Sequence, residues 1–226
     1  MTNHYTPEQL AQFPWIVSAD TLRPEDLLVR FWSAAEMLAV MNGQPIPADL
    51  LAKLNRLVGE DSKESDWIDG WDGIAGETWA SITLGDVFDY LSSLAPAGFS
   101  FGASEGDGAL FGFWLSDAWH DGLEVLGFGN DDPTGWAELI SRLELDGIDP
   151  DNIEDAYQGR AEGWSEERAG ADYAQQLAED TADLTLCNTW PFSCIDWNAA
   201  WRELEMGDGY RLHDIGGGEW LVFRSV

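Results

Sequence analysis

Asp196-Trp197-Asn198-Ala199-Ala200-Trp201-Arg202-Glu203-Leu204 is followed by Gly207-Asp208-Gly209, residues 210–215, Gly216-Gly217-Gly218 and residues 219–223. An aspartate in front of a helical stretch offers its carboxylate to the free amides of the first turn. Trp197, Ala200, Trp201 and Leu204 then fall at i, i+3, i+4 and i+7, one face of a helix. Gly207 and Gly209 stop it. Two short runs joined by three glycines predict an antiparallel hairpin. A helix laid beside a hairpin within about 30 residues points to an α+β protein.

Upstream, the same reasoning finds mostly helix. Ser165-Glu166-Glu167 is an N-cap followed by first-turn acids, and Ala169, Tyr173 and Leu177 form the inward stripe behind it. Asp132-Pro133 opens a helix whose Trp136, Leu139, Ile140 and Leu143 share a face. Residues 117–126 predict a short helix. Phe99 and Phe101, then Leu110, Phe111, Phe113 and Leu115, flank a glycine-rich turn at 102–108 and predict a hairpin. Residues 84–94 predict a helix closed by Pro96. Nearer the start, Thr6-Pro7-Glu8 and Arg23-Pro24-Glu25 place proline at a first helical position. The second start leads into Leu27, Leu28, Phe31, Trp32, Ala35, Leu38 and Ala39, ended by Asn42-Gly43. Pro47 opens another helix with Leu50, Leu51, Leu54, Leu57 and Val58. The pattern divides the chain into a helical N-terminal module (1–60), a polar linker (61–77), an acidic α+β module (78–148) and a C-terminal module (149–226).

Charge is the main anomaly. The 226 residues carry 42 acids and 11 Lys plus Arg, a net charge of −31, yet 45% of them are apolar, enough for a packed core. Residues 1–60 hold seven acids and four bases, so the remainder holds 35 acids and seven bases. Like charge at this density opposes compaction, so the excess costs stability. Such a surface avoids nucleic acid and anionic membranes and attracts basic grooves. Adaptation to high salt would acidify the whole chain, whereas its first 60 residues are nearly balanced. Neither a membrane span nor a signal-peptide pattern is visible, and Cys187 and Cys194 make no disulfide framework, so the expected compartment is the cytoplasm.

Chemistry-bearing motifs are weak. A calcium loop beginning at Asp149 needs an oxygen ligand fifth and glycine sixth, where Ile153 and Glu154 stand. Cys187, Cys194 and His213 lack zinc-ligand spacing. Cys194 as a nucleophile has only His213 nearby in sequence as a base, and a buried structural thiol is the simpler reading. Glu105-Gly106-Asp107-Gly108 puts acids where a phosphate would sit. The expectation is no enzyme, no cofactor and no metal.

What remains is the acidic surface. Asp172, Glu179 and Asp183 fall at i, i+7 and i+11, nearly one line, with axial spacings of roughly 10 and 6 Å. DNA carries one charge per about 1.7 Å, so the net charge of −31 corresponds to roughly 53 Å of duplex, or about 15 base pairs. The predicted DNA-mimic surface is Asp131, Asp132, Glu138, Glu144, Asp146, Asp149, Asp151, Glu154, Asp155, Glu162, Glu166, Glu167, Asp172, Glu179, Asp180 and Asp183.

The C-terminal third adds a resemblance. Glu154-Asp155-Ala156-Tyr157-Gln158-Gly159 precedes the Ser-Glu-Glu helix and its Tyr173-Ala174-Gln175-Gln176-Leu177-Ala178-Glu179. Cys194-Ile195-Asp196-Trp197-Asn198-Ala199-Ala200-Trp201-Arg202-Glu203-Leu204, Gly207-Asp208-Gly209-Tyr210 and Val222-Phe223-Arg224 come next. Together these resemble the ArdA family of antirestriction proteins, best over 150–226 and more weakly over 78–150. The resemblance implies an elongated acidic homodimer that imitates bent DNA and blocks the DNA groove of type I restriction-modification enzymes. It implies a dimer contact within 196–223. The alternatives are an acidic inhibitor of another nucleic-acid enzyme, such as a CRISPR effector, or a protein-interaction adaptor whose charge only keeps it soluble.

Overall fold

The computed structural model describes residues 3–58, 74–127, 132–181 and 194–225. It is α+β, with helices and two three-stranded antiparallel sheets among these residues. The chain forms two compact units, Met1–Ser116 with Asp132–Glu138, and Asp117–Asp131 with Leu139–Val226.

The first unit begins with α1 (Pro7–Leu10), capped by a reciprocal pair in which Thr6 and Gln9 each accept the other's backbone amide. After β1 (Ile16–Ser18), α2 (Pro24–Asn42) ends at Gly43, whose φ of 64° is the left-handed turn that glycine adopts without strain. Next come α3 (Ala48–Val58) and α4 (Ile74–Ser93), tied by Lys53 Nζ at 2.6 Å from Asp86 Oδ2. Strands β2 (Phe99–Ala103) and β3 (Phe111–Leu115) pair with Phe101 opposite Phe113, and β1 joins the other edge of β3. Phe31 of α2 meets Phe101 and Phe111 edge-on at 5.0 and 5.3 Å, and Phe101, Phe113 and Phe13 continue the cluster. Edge-to-face rings at this spacing stabilise a core beyond their buried area.

That core overturns the sequence-based division. Leu28, Leu38, Leu50 and Leu54 pack in one cluster with Val87, Leu91, Phe101 and Phe113. Residues before 60 and after 78 therefore share a core and are not separate modules. The expected linker at 61–77 loses its end, because α4 starts at Ile74, ten residues before the predicted helix. Residues 61–73 of it lie outside the described residues.

In the second unit, α5 (Asp117–Glu124) is followed by α6 (Pro133–Leu145), whose residues from Leu139 onward belong here. Then come α7 (Ile153–Ala156), β4 (Tyr157–Glu162), α8 (Glu166–Thr181), α9 (Trp197–Gly207), β5 (Tyr210–Gly216) and β6 (Glu219–Arg224). The predicted hairpin is β5–β6, and β4 completes the sheet on the far side of β6. Central β6 is buried on both faces, with Leu221, Val222 and Phe223 all fully covered. Val222 packs in the cluster of Ala169, Tyr173 and Trp201, while Phe223 contacts Tyr157 and His213 on the other face. Asp196 caps α9 through the amides of Asn198 and Ala199, as expected. Strand β4 was not expected. It carries an irregularity between Tyr157 and Gly159, whose φ of 138° only glycine readily adopts.

Candidate functional site: the acidic face of the C-terminal unit

Helix α8 presents two sides of opposite character. Ala169, Gly170, Tyr173 and Ala174 are buried, and Glu166, Glu167, Glu179 and Asp180 are exposed. Asp172, half-buried, lies one face away from the core and two turns from Glu179. Among the described residues, neither carboxylate forms an ion pair with a Lys or Arg within 4.0 Å. Gln176 Nε2 donates to Asp172 Oδ2 at 2.6 Å, and Gln175 Nε2 donates to Glu179 Oε1 at 2.8 Å, both at i,i+4 spacing. A neutral amide fixes the direction of a carboxylate and leaves its charge intact. Asp172 Oδ2 also accepts the backbone amide of Glu162 at 3.2 Å, which brings the edge of β4 under the helix.

Glu162 stands directly opposite Glu219 of β6 in the sheet. Like charges in that register are destabilising. Arg160 Nη1 lies 3.5 Å from Glu219 Oε2 and moderates the pair. With Asp172, the two glutamates border an open hollow of about 550 Å³, which Trp164 and Arg168 also line. Trp164 is 84% exposed and Arg168 stacks over its ring at 5.5 Å.

Three arginines of this unit donate to backbone carbonyls, and two of the three, Arg160 and Arg211, remain exposed. Arg142 donates to the Asp214 carbonyl at 2.9 Å, Arg160 to the Leu126 carbonyl at 2.8 Å, and Arg211 to the Tyr210 carbonyl at 2.7 Å. Arg224 lies 3.9 Å from Asp208 and over the Tyr210 ring. Guanidinium groups aimed at backbone carbonyls help pin the fold, and Arg160 and Arg224 also offset the charges of Glu219 and Asp208.

The sixteen acids expected to form one surface separate on inspection. Asp131 and Asp183 lie outside the described residues. Asp132 and Glu138 belong to the first unit, where Asp132 Oδ1 accepts the Thr134 amide and caps α6. Glu144 is half-buried on α6. Asp146, Asp149, Asp151, Glu154 and Asp155 are exposed around α7. Among these, Asp149 Oδ1 accepts the amides of Asp151 and Asn152, so it closes a turn. The structure brings Glu162 and Asp172 together around the hollow, with Glu166, Glu167, Glu179 and Asp180 displayed on the same helix as Asp172. Glu219, Trp164 and the two glutamines were not picked out from sequence. The i,i+4 spacing of Asp172–Gln176 and Gln175–Glu179 was a readable signal. The Glu162–Glu219 pairing needed the unpredicted β4.

Asp146 has a second neighbour. Its Oδ2 lies 3.2 Å from Nε2 of buried His213. Burial, the largest influence, pushes the His213 pKa down to about 4. The Asp146 carboxylate pulls it up, Arg142 lowers it further, and desolvation wins. Cys194 is exposed, and Cys187 lies outside the described residues. Among the described residues no three His, Cys, Asp or Glu side chains converge as metal ligands would, and no helix is long and apolar enough to cross a membrane.

No family model, curated protein or solved structure matches the chain. The likeness to antirestriction proteins therefore rests on the short motifs themselves.

Proposed function

We propose that this chain acts by binding alone, as an acidic decoy that occupies the DNA-binding groove of a type I restriction-modification enzyme and thereby blocks it. The observation that carries this reading is the amide-clamped line on α8. Asp172 and Glu179 each accept a hydrogen bond from a neutral amide, Gln176 and Gln175, four positions away on the helix. A groove selected for phosphates offers Lys and Arg at set positions, and preplaced carboxylates meet them with little ordering cost.

The resemblance of residues 150–226 supports the choice of target and a homodimer formed through the C-terminal unit. A shallow groove of about 550 Å³ between α8 and α9, lined in part by Leu177, Ala178, Trp197, Ala200 and Leu204, is the surface we assign to that contact.

The test is direct. A purified type I restriction-modification enzyme is assayed for DNA cleavage with increasing amounts of this protein. Inhibition that is competitive with DNA and fades as salt rises is the expected result. Full cleavage at a large molar excess, at low salt, would overturn the reading. Inhibition of a CRISPR effector in its place would keep the decoy mechanism and change the target.

A further inference from the structure

The hollow beside Trp164 has a wall that the decoy reading does not require. A bare acidic surface needs no aromatic side chain, and exposing an indole to water carries a cost. Trp164 is nonetheless 84% exposed, on the turn between β4 and α8. The residue before it is firmly held. Gly163 N–H donates to the Gly218 carbonyl at 2.9 Å, and the Gly163 carbonyl accepts Trp220 Nε1–H at 2.9 Å. A Cβ on Gly163 would lie 2.4 Å from the Ala169 nitrogen, so the turn is packed against the start of α8. The indole is thus displayed from a fixed support.

One face of the ring already holds a guanidinium, that of Arg168, 5.5 Å from the centroid. The exposure of Trp164 leaves ring surface free. Glu162, Asp172 and Glu219 border the hollow, and Gly217 and Gly218 add no side chains to it. A π-face with carboxylates around it suits a planar cation that stacks and donates in two directions at once, which arginine does and lysine does not. An apolar segment would desolvate the carboxylates, and a nucleobase would bring its phosphate into the acidic field.

We propose that the Trp164 hollow is a receptor for an arginine side chain of the basic partner. The partner's nature rests on the decoy reading, and the hollow's preference for guanidinium over ammonium does not.

The full chain is titrated with an arginine hexapeptide and, separately, a lysine hexapeptide at about 150 mM salt, where long-range attraction is screened. The wild type binds the arginine peptide about fivefold more tightly, and the Trp164 indole N–H resonance moves. Trp164→Ala keeps its melting temperature and loses the preference, while Trp164→Phe retains part of it. Equal affinity of the wild type for both peptides overturns the proposal. So does an undiminished preference in Trp164→Ala. The same preparations enter the restriction assay. Inhibition without arginine preference removes the hollow and leaves the decoy standing. Arginine preference without inhibition keeps the hollow and removes the decoy.

Discussion

Gly170 of α8 sits against the indole of Trp201 on α9, so closely that a Cβ there would come within 2.4 Å of the ring. The near atoms are the ring carbons next to the Trp201 Cβ, which a rotamer change cannot easily withdraw, and Trp201 is buried. Gly170→Ala gains about 1 kcal/mol of helix propensity. It forces the two helices apart at an overpacking cost of about 1–3 kcal/mol. We expect a net loss of stability, read as a lower melting temperature. An unchanged or higher value would show that α8 and α9 separate freely.

His213 sets a pH dependence. Its pKa of about 4 in the folded chain lies below the ordinary 6.5 of the unfolded one, so acid protonates the unfolded state first. The contribution of the neutral imidazole is complete above about pH 6.5 and is lost as pH falls towards 4, a total loss of about 3 kcal/mol. Carboxylate titration is shared by wild type and His213→Phe. The difference in their stability between pH 7 and pH 4 isolates the imidazole. Parallel curves for the two proteins would remove this assignment.

The α8 line makes a salt-dependent prediction. Asp172→Asn with Glu179→Gln removes two charges and keeps an oxygen at position 172 to accept the Glu162 amide. The fold should survive. Target binding should weaken about tenfold at low salt and fall less steeply as salt is added. Identical inhibition by wild type and double variant at every salt concentration would make this face a solvated surface only. Asp172→Ala differs, because it strips the acceptor and should also lower the melting temperature.

Assembly is tested by light scattering. The proposed homodimer has twice the 25.0 kDa mass of one chain. Ala178→Glu places a charge in the α8–α9 groove and should shift the protein to monomer without unfolding it. A wild type that stays monomeric at micromolar concentration would refute the proposal.

Much of the second unit was legible. The Asp196 cap, the α9 stripe and the β5–β6 hairpin follow from short-range rules. Strand β4 did not, because Tyr157-Gln158-Gly159-Arg160-Ala161-Glu162 breaks the alternation of a half-buried strand at its glycine irregularity. The shared core of the first unit was hidden for another reason. Phe31 and Phe101 lie 70 positions apart, and no local pattern reports a contact of that span. The acids were visible as composition, whereas their sorting into caps, turns and free carboxylates depends on partners such as Thr134, Asn152 and Gln176. Trp164 carried no periodic signal at all.

Glu162 and Glu219, opposed across β4 and β6, couple two equilibria to the same solute. Cations gathering around the free protein relieve their repulsion and tighten the fold. Those cations also screen the attraction to any basic groove and loosen the complex. On the decoy reading, the fold is then most heat-resistant at the salt concentrations where binding is weakest.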